Sequence, residues 1–218
     1  MMGFRGLLHA ASVCLVLGLT PGHVSAQTII DEWAKVKVPP APDLKPVTVT
    51  EADTALLVLD FNGAQDPAKG PCNAIHNTRC IASLPTIQKM LANARAHGVF
   101  VVYSVTVAGG PADIATALAP HPGDPIVQSG PDKFVHTDLE KILAGKKIKT
   151  VIVTGTVAQG AVLDTATDAA LKGMNVIVPV DGMSSTDPYA EQYVAWHLTH
   201  APGVSAKTTL TRTDMITF

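Results

Sequence analysis

The chain has 218 residues, of which 47% are hydrophobic and 16% charged, and its formal net charge is −2. That composition suits a buried core in one domain of ordinary size and excludes a disordered chain. With 16 basic residues against 18 acidic ones, there is no electrostatic case for nucleic acid or an anionic membrane surface as a partner.

Residues 1–26 read as an export signal. Arg5 precedes an apolar core from Leu7 to Leu19, Pro21 and Gly22 break it, and Val24-Ser25-Ala26 supplies the small residues a signal peptidase accepts. An uncleaved anchor fits less well, because the core is short and the cleavage box is good. The mature chain then begins at Gln27, outside the cytoplasm, in the periplasm or secreted. No later stretch approaches the roughly 20 apolar residues of a membrane span, so no membrane contact is expected after cleavage.

Cysteine usage agrees with export. Cys14 leaves with the signal, and Cys72 and Cys80 remain, flanking the polar run Asn73–Arg79. A disulfide closing this loop is favoured. Metal ligation with His76 is a rival that lacks a recognisable fourth ligand. Two free thiols would be out of place in an oxidising compartment.

Residues 27–53 read as an extended N-terminal segment. Thr28–Val36 has room for one short helical turn. Pro39, Pro40, Pro42 and Pro46 then block helix and central strand, so this part should run over the surface. From residue 54 to 218 a single domain is expected. Ala55–Leu59 is a continuous apolar run ending at Asp60, a strand buried on both faces. Leu84, Ile87, Leu91 and Ala94 recur at helical spacing, with Gly98 placed to end the helix. Val99–Val105 is the next strand. Thr137-Asp-Leu-Glu140 reads as a capping box opening a helix that Gly145 ends. Thr150–Thr154 is a third strand, followed by a helix from about Ala158 to Lys172. Val176–Val180 is a fourth strand. Asp187 and Pro188 are the cap and first residue of a further helix, and Lys207–Thr211 fits a last strand. This alternation predicts an α/β fold, a three-layer α/β/α sandwich with a mostly parallel central sheet. Ligands of such sheets lie outside the carboxyl ends of the strands.

Asp60 directly follows the first strand. A carboxyl there is partly desolvated and suited to acid or base work. Lys133 lies in the turn-rich loop Ser129–Phe134, and by itself would read as solvated. Gly155–Ala161 joins the third strand to its helix, where backbone amides can hold an anion. The stretch from Gly155 to Asp164 has no Ser or Cys, and its hydroxyl is Thr156. Ser104 and Ser184-Ser185 follow strands and can line a pocket, but no nucleophile elbow surrounds them. His197 and His200 are three apart on a helix without a third ligand, and read as surface or packing residues.

These parts together resemble the isochorismatase-like hydrolases, a family that includes isochorismatases, nicotinamidases and carbamoylamide hydrolases. The resemblance rests on the Asp ending the first strand, the Lys before a mid-chain helix, and Val151-Ile-Val-Thr-Gly-x-x-Ala158 leading into Val162-x-x-Thr165-x-x-Asp168-Ala169. Asp181-Gly182-Met183-Ser184-Ser185 fits the family's final strand and loop. The resemblance covers roughly Thr54 to Pro188. Members typically use an Asp, a Lys and a Cys, which implies catalytic roles for Asp60 and Lys133 and puts Ala161 at the nucleophile position. Alanine cannot form a thioester, so a covalent acyl-enzyme is not expected. Isochorismatases proper also lack the Cys, and the resemblance to them implies an Asp that protonates a vinyl ether. Asn62 stands two residues past the Asp, where the family usually has Gln. With Thr156, Gln159 and Gly160 it makes up the implied substrate-binding set. The Asp-x-His metal site of nicotinamidases has no counterpart between Val105 and Pro122, which argues against nicotinamide as substrate; no metal or other cofactor is expected. The expected partner is a small-molecule substrate, and association of identical copies is compatible with the sequence. The alternative is a catalytically inactive member of the same fold that binds a small molecule.

Overall fold

The computed structural model describes residues 28–218. The expected signal, with its cut after Ala26, lies outside the described residues. The chain divides into two units, one ending at Val38 and the other running from Pro39 to Phe218. In the first, α1 (Ile29–Glu32) is one helical turn, continued by a 3-10 turn over Trp33–Lys35. The Thr28 backbone N–H and hydroxyl both donate to Asp31 Oδ2, at 2.9 and 3.0 Å, which satisfies the start of the turn.

The second unit contains, in order, β1 (Val47–Thr48), β2 (Thr54–Leu59), α2 (Thr78–Ala96), β3 (Phe100–Thr106), β4 (Ile126–Ser129), α3 (Leu139–Gly145) and β5 (Thr150–Thr156). There follow α4 (Leu163–Leu171), β6 (Asn175–Pro179), β7 (Met183–Ser184), α5 (Pro188–His200), β8 (Thr208–Thr211) and β9 (Ile216–Thr217). The main sheet has the order β4-β3-β2-β5-β6-β8, with β7 on β5, and its pairings are parallel.

All six residues of β2 are buried. Ala55, Leu57 and Leu59 face a core shared with α3, α4 and α5, while Leu56 and Val58 face a second core against α2. Burying both faces explains the unbroken apolar run, and each fully buried Leu contributes about 1.5–3 kcal/mol. The result is the expected three-layer α/β/α sandwich.

The chain moves outward from β2 to β3 and β4, then returns to place β5 on the other side of β2. The strand order reverses there, at the carboxyl ends of β2 and β5, which is where sheets of this kind place their ligands. Leu59 and Gly155 are paired at that end. Gly155 has φ +156°, and a Cβ at this position would lie 2.6 Å from the Leu59 carbonyl oxygen. Glycine is what lets the two strands close here.

Several expectations need correction. β4 was not foreseen. It is a four-residue edge strand with alternating burial and no apolar run to announce it. The capping box at Thr137–Glu140 does not form. The Thr137 hydroxyl accepts from Leu139 N (3.1 Å) and donates to the Lys133 carbonyl, while Glu140 pairs with Lys172 at 2.8 Å. The helix expected from Ala158 opens with a π-helical turn, Ala158–Val162, before α4 begins. Residues 39–53 are not merely draped over the surface. Lys45 N donates to Leu210 O (3.0 Å), β1 pairs with β9, and Val49 is buried.

Cys72 and Cys80 are joined by a disulfide, with Cα atoms 5.3 Å apart. No helix among the described residues is long and apolar enough to cross a membrane.

Candidate active site

Asp60 is the first residue past β2. Its φ of +54° turns the chain sharply away from the strand. Its backbone N–H is held by Ser104 on β3, through the carbonyl at 3.1 Å and the hydroxyl oxygen at 3.2 Å. The same hydroxyl donates to Asp60 Oδ1 at 2.7 Å. Lys133 Nζ donates to Oδ2 at 2.7 Å and to the Gly130 carbonyl at 2.7 Å. Asp60 is 4% exposed and Lys133 0%. A charge so deeply buried requires a partner, and each residue is the other's.

The loop that presents Lys133 is fastened on several sides. The Ser129 hydroxyl donates to the carbonyls of Gly130 and Asp132, both at 3.0 Å. Asp132 Oδ1 accepts from Phe134 N at 2.9 Å. The Lys133 backbone N–H donates to Thr165 Oγ1 on α4 at 3.2 Å. Thr165 is thus the anchor that ties the lysine loop to the helix after β5.

Burial pushes the Asp60 carboxyl above its ordinary value. The Lys133 ammonium and the Ser104 hydroxyl pull it down, and offset the burial only in part. Such a group keeps its proton at a pH where an exposed aspartate has lost it.

Ala161 sits in the π-helical turn and is 3% exposed. It belongs to the same buried cluster as Leu59 and Phe134, the sequence neighbours of Asp60 and Lys133. A Cβ on adjacent Gly160 would lie 3.7 Å from Pro131 of the lysine loop. The fold therefore brings Asp60, Ser104 and Lys133 into contact and sets the Ala161 turn against the lysine loop. The cysteines among the described residues, Cys72 and Cys80, are both in the disulfide.

Two members of the implied substrate-binding set have other work. Both Asn62 amide hydrogens are taken, by the Lys69 carbonyl and by Thr106 Oγ1 (3.2 Å). Gly70 and Gly109 pack so tightly on this amide that a Cβ at either would lie within 2.4 Å of Nδ2. Asn62 holds its loop and has no free donor for a ligand. Thr156 is likewise buried, accepting from Asn77 Nδ2 (2.9 Å) and donating to Ser184 O (3.2 Å). Gln159 is exposed and accepts from the Ser185 hydroxyl at 2.8 Å. Gly160 is half-buried, and its N–H is taken by Val157 O at 3.0 Å. Among the residues read as surface or packing groups, His200 stacks on Trp196, with ring centroids 4.9 Å apart.

Sequence reasoning missed the grip of Ser104 on Asp60 and of Thr165 on Lys133. The available signals were a small hydroxyl inside the apolar strand Val101–Val105 and a threonine on the buried face of α4.

The Isochorismatase domain family model matches residues 54–209. The secreted isochorismatase effector Isc1 of Verticillium dahliae is 30% identical over 153 residues, 65% of this chain and 78% of that protein. An N-carbamoylsarcosine amidase of Arthrobacter sp is 30% identical over 138 residues, and this chain spans about half of its length (52%). The crystal structure of a cysteine hydrolase from Pseudomonas syringae pv. phaseolicola 1448A superposes with a TM-score of 0.64 at 21% identity, covering 80% of this chain and 95% of that one, and shares the fold. The family match runs from the first residue of β2 into β8 and takes in the buried aspartate, the lysine loop and the turn at Ala161: the chain is a hydrolase of the isochorismatase family.

Proposed function

We propose that the protein is exported and hydrolyses a small molecule by acid–base chemistry at Asp60, without a cysteine nucleophile. The observation that carries this reading is the buried Asp60–Ser104–Lys133 cluster at the strand-order reversal. Asp60 gives its proton to the substrate, and on a vinyl ether that proton goes to the terminal carbon. Water adds to the resulting cation and loses a proton, and the hemiketal collapses to a ketone and an alcohol. Lys133 stabilises the carboxylate once the proton has left, and Ser104 keeps it oriented. Ala161 presents a methyl group, so no acyl-enzyme enters the sequence. Export, to the periplasm or beyond the cell, is supported by the Cys72–Cys80 disulfide and by the secreted relative.

The test is Asp60→Asn, assayed on a panel of enol ethers, amides and ureas. Turnover should fall by roughly 10²–10⁴-fold with ligand binding little changed. Full turnover by the variant removes Asp60 from the reaction. Ala161→Cys checks the other half of the site. Ala161 is buried in the static structure, so a thiol here that is alkylated faster than free cysteine would show that the turn opens to small molecules beside the Lys133 cation, and an inert thiol would break the alignment. The alanine at position 161, where the family usually carries its cysteine, supports a second reading, a catalytically inactive small-molecule binder. Thermal shifts without turnover across the same panel would select it.

A further inference from the structure

The loop between β2 and α2 holds a buried network that the acid–base reading does not use. Cys72 and Cys80 are both fully buried and joined across a separation of eight residues. Within the loop, Asn73 Oδ1 accepts from the N–H groups of Ile75 and His76, at 3.1 and 2.8 Å, and its carbonyl accepts from Asn77 N at 3.0 Å. Asn77 is 2% exposed and its side chain works in two directions. Oδ1 accepts from Cys80 N at 3.1 Å and so caps α2. Nδ2 donates at 2.9 Å to the hydroxyl of Thr156, the last residue of β5. That hydroxyl donates onward to Ser184 O on β7 at 3.2 Å. At the other end of the loop, Cys72 N donates to Asn62 O at 2.9 Å, two residues beyond Asp60. The disulfide is thus tied on one side to the Asp60 turn and on the other, through Asn77, to the strand end that leads into Ala161.

We propose that Asn77, held in place by the Cys72–Cys80 disulfide, is a positioning residue for the Thr156–Ala161 segment, so that the site takes its working shape only in the oxidised chain. The inference rests on the reading above in treating that segment as part of the site. A buried amide donor needs its acceptor, and Asn77 meets Thr156 only while the short loop is tight. Reduction by a dithiol such as dithiothreitol passes two electrons and two protons to the bridge. Cys72 and Cys80 become thiols, and the dithiol becomes a cyclic disulfide. The opened loop gains freedom, and the hold on Thr156 weakens. A chain in a reducing compartment stays loose at this edge and tightens once it is exported to an oxidising one.

Hydrogen exchange on the purified protein tests this, read peptide by peptide without a substrate. Reduction with dithiothreitol should speed exchange of the Val157–Val162 amides by about 2–10-fold, the loss of one hydrogen bond. Amides of β3 and β6 should be unaffected. If the buried bridge resists the reagent, a Cys72→Ser/Cys80→Ser chain replaces the reduced sample. Asn77→Ser retains a helix-capping oxygen for α2 but cannot reach Thr156, and should reproduce the remote effect in the oxidised protein. Thr156→Val should do the same, and Thr156→Ser, which keeps the hydroxyl, should restore slow exchange. Faster exchange confined to residues 70–82, or spread evenly over the whole chain, overturns the proposal. So does a Thr156→Ser protein as fast as Thr156→Val. The two readings fail separately. Full turnover by Asp60→Asn would sink the Asp60 chemistry and leave the exchange pattern standing, whereas unmoved Val157–Val162 amides would sink this inference alone.

Discussion

Asp60 and Asp181 hold similar places in the chain. Each follows a buried parallel strand, β2 or β6, at the carboxyl edge of one sheet. Their surroundings differ. Asp181 is half-buried, and both of its oxygens accept from Thr213, from the backbone N–H at 2.9 Å and the hydroxyl at 2.8 Å. It fastens the turn after β8. Asp60 is almost fully buried between an ammonium group and a hydroxyl, where the strand order reverses. The contrast separates position from chemistry. A strand-end carboxylate becomes a candidate acid when desolvation raises its proton affinity and a cation can stabilise the anion left behind. A carboxylate that accepts two neutral hydrogen bonds near solvent is a clasp.

The largest expected effect breaks the comparison directly. Asp60→Asn should remove turnover by orders of magnitude, while Asp181→Asn should leave it in place and lower stability by about 1 kcal/mol, the worth of an ordinary hydrogen bond. Equal losses from the two variants, measured on one substrate, would erase the distinction.

Lys133→Met comes next. Removing one partner of a buried pair destabilises by about 3–5 kcal/mol, and urea unfolding at neutral pH should show it. Without the ammonium, the Asp60 carboxyl shifts further up. Its protonation then relieves the unpaired charge, so the deficit should shrink as the pH falls.

The disulfide should contribute about 2–3 kcal/mol in the chain-entropy account of a loop this short. Thermal unfolding of Cys72→Ser/Cys80→Ser beside the native protein measures it.

The smallest effect sharpens the electrostatics. The folded-state value of Asp60 lies above the ordinary 3.8. Its stabilising contribution is therefore complete below that pH and is lost as the pH rises through the folded value. Ser104→Ala removes a hydrogen bond that favours the anion, so the loss should move to higher pH. Stability curves from pH 3 upward check the sign, and a shift to lower pH would contradict it.

Asp60 was legible because an apolar run stops at a carboxylate. Lys133 was legible only through the family resemblance, since a lysine between Asp132 and Phe134 has nothing local to mark it. Ser104 escaped because its grip depends on parallel register: Leu59 lies opposite Ser104 only after β2 and β3 have paired, and the chain does not encode that alignment locally. The surroundings of Asn62 escaped for the same reason. Its position two residues past Asp60 was readable, but the convergence of Lys69, Gly70, Thr106 and Gly109 on its amide comes from its own loop folding back against the end of β3 and the turn after it. β4 was hidden because an edge strand can pair through its backbone while burying few side chains. The sandwich itself was readable because each central strand is apolar on both faces.

The close approach at Gly155 limits how this chain can vary. Any side chain there begins with a carbon 2.6 Å from the Leu59 carbonyl oxygen and 2.7 Å from the Leu59 Cβ. β2 and β5 would have to separate at the very rung above which Asp60 turns. A saturation library at residue 155 should therefore return glycine alone among active clones, even though this residue touches neither Asp60 nor Lys133 through a side chain. The spacing of β2 and β5 beneath Asp60 is held by the absence of one methyl group, and a single codon controls it.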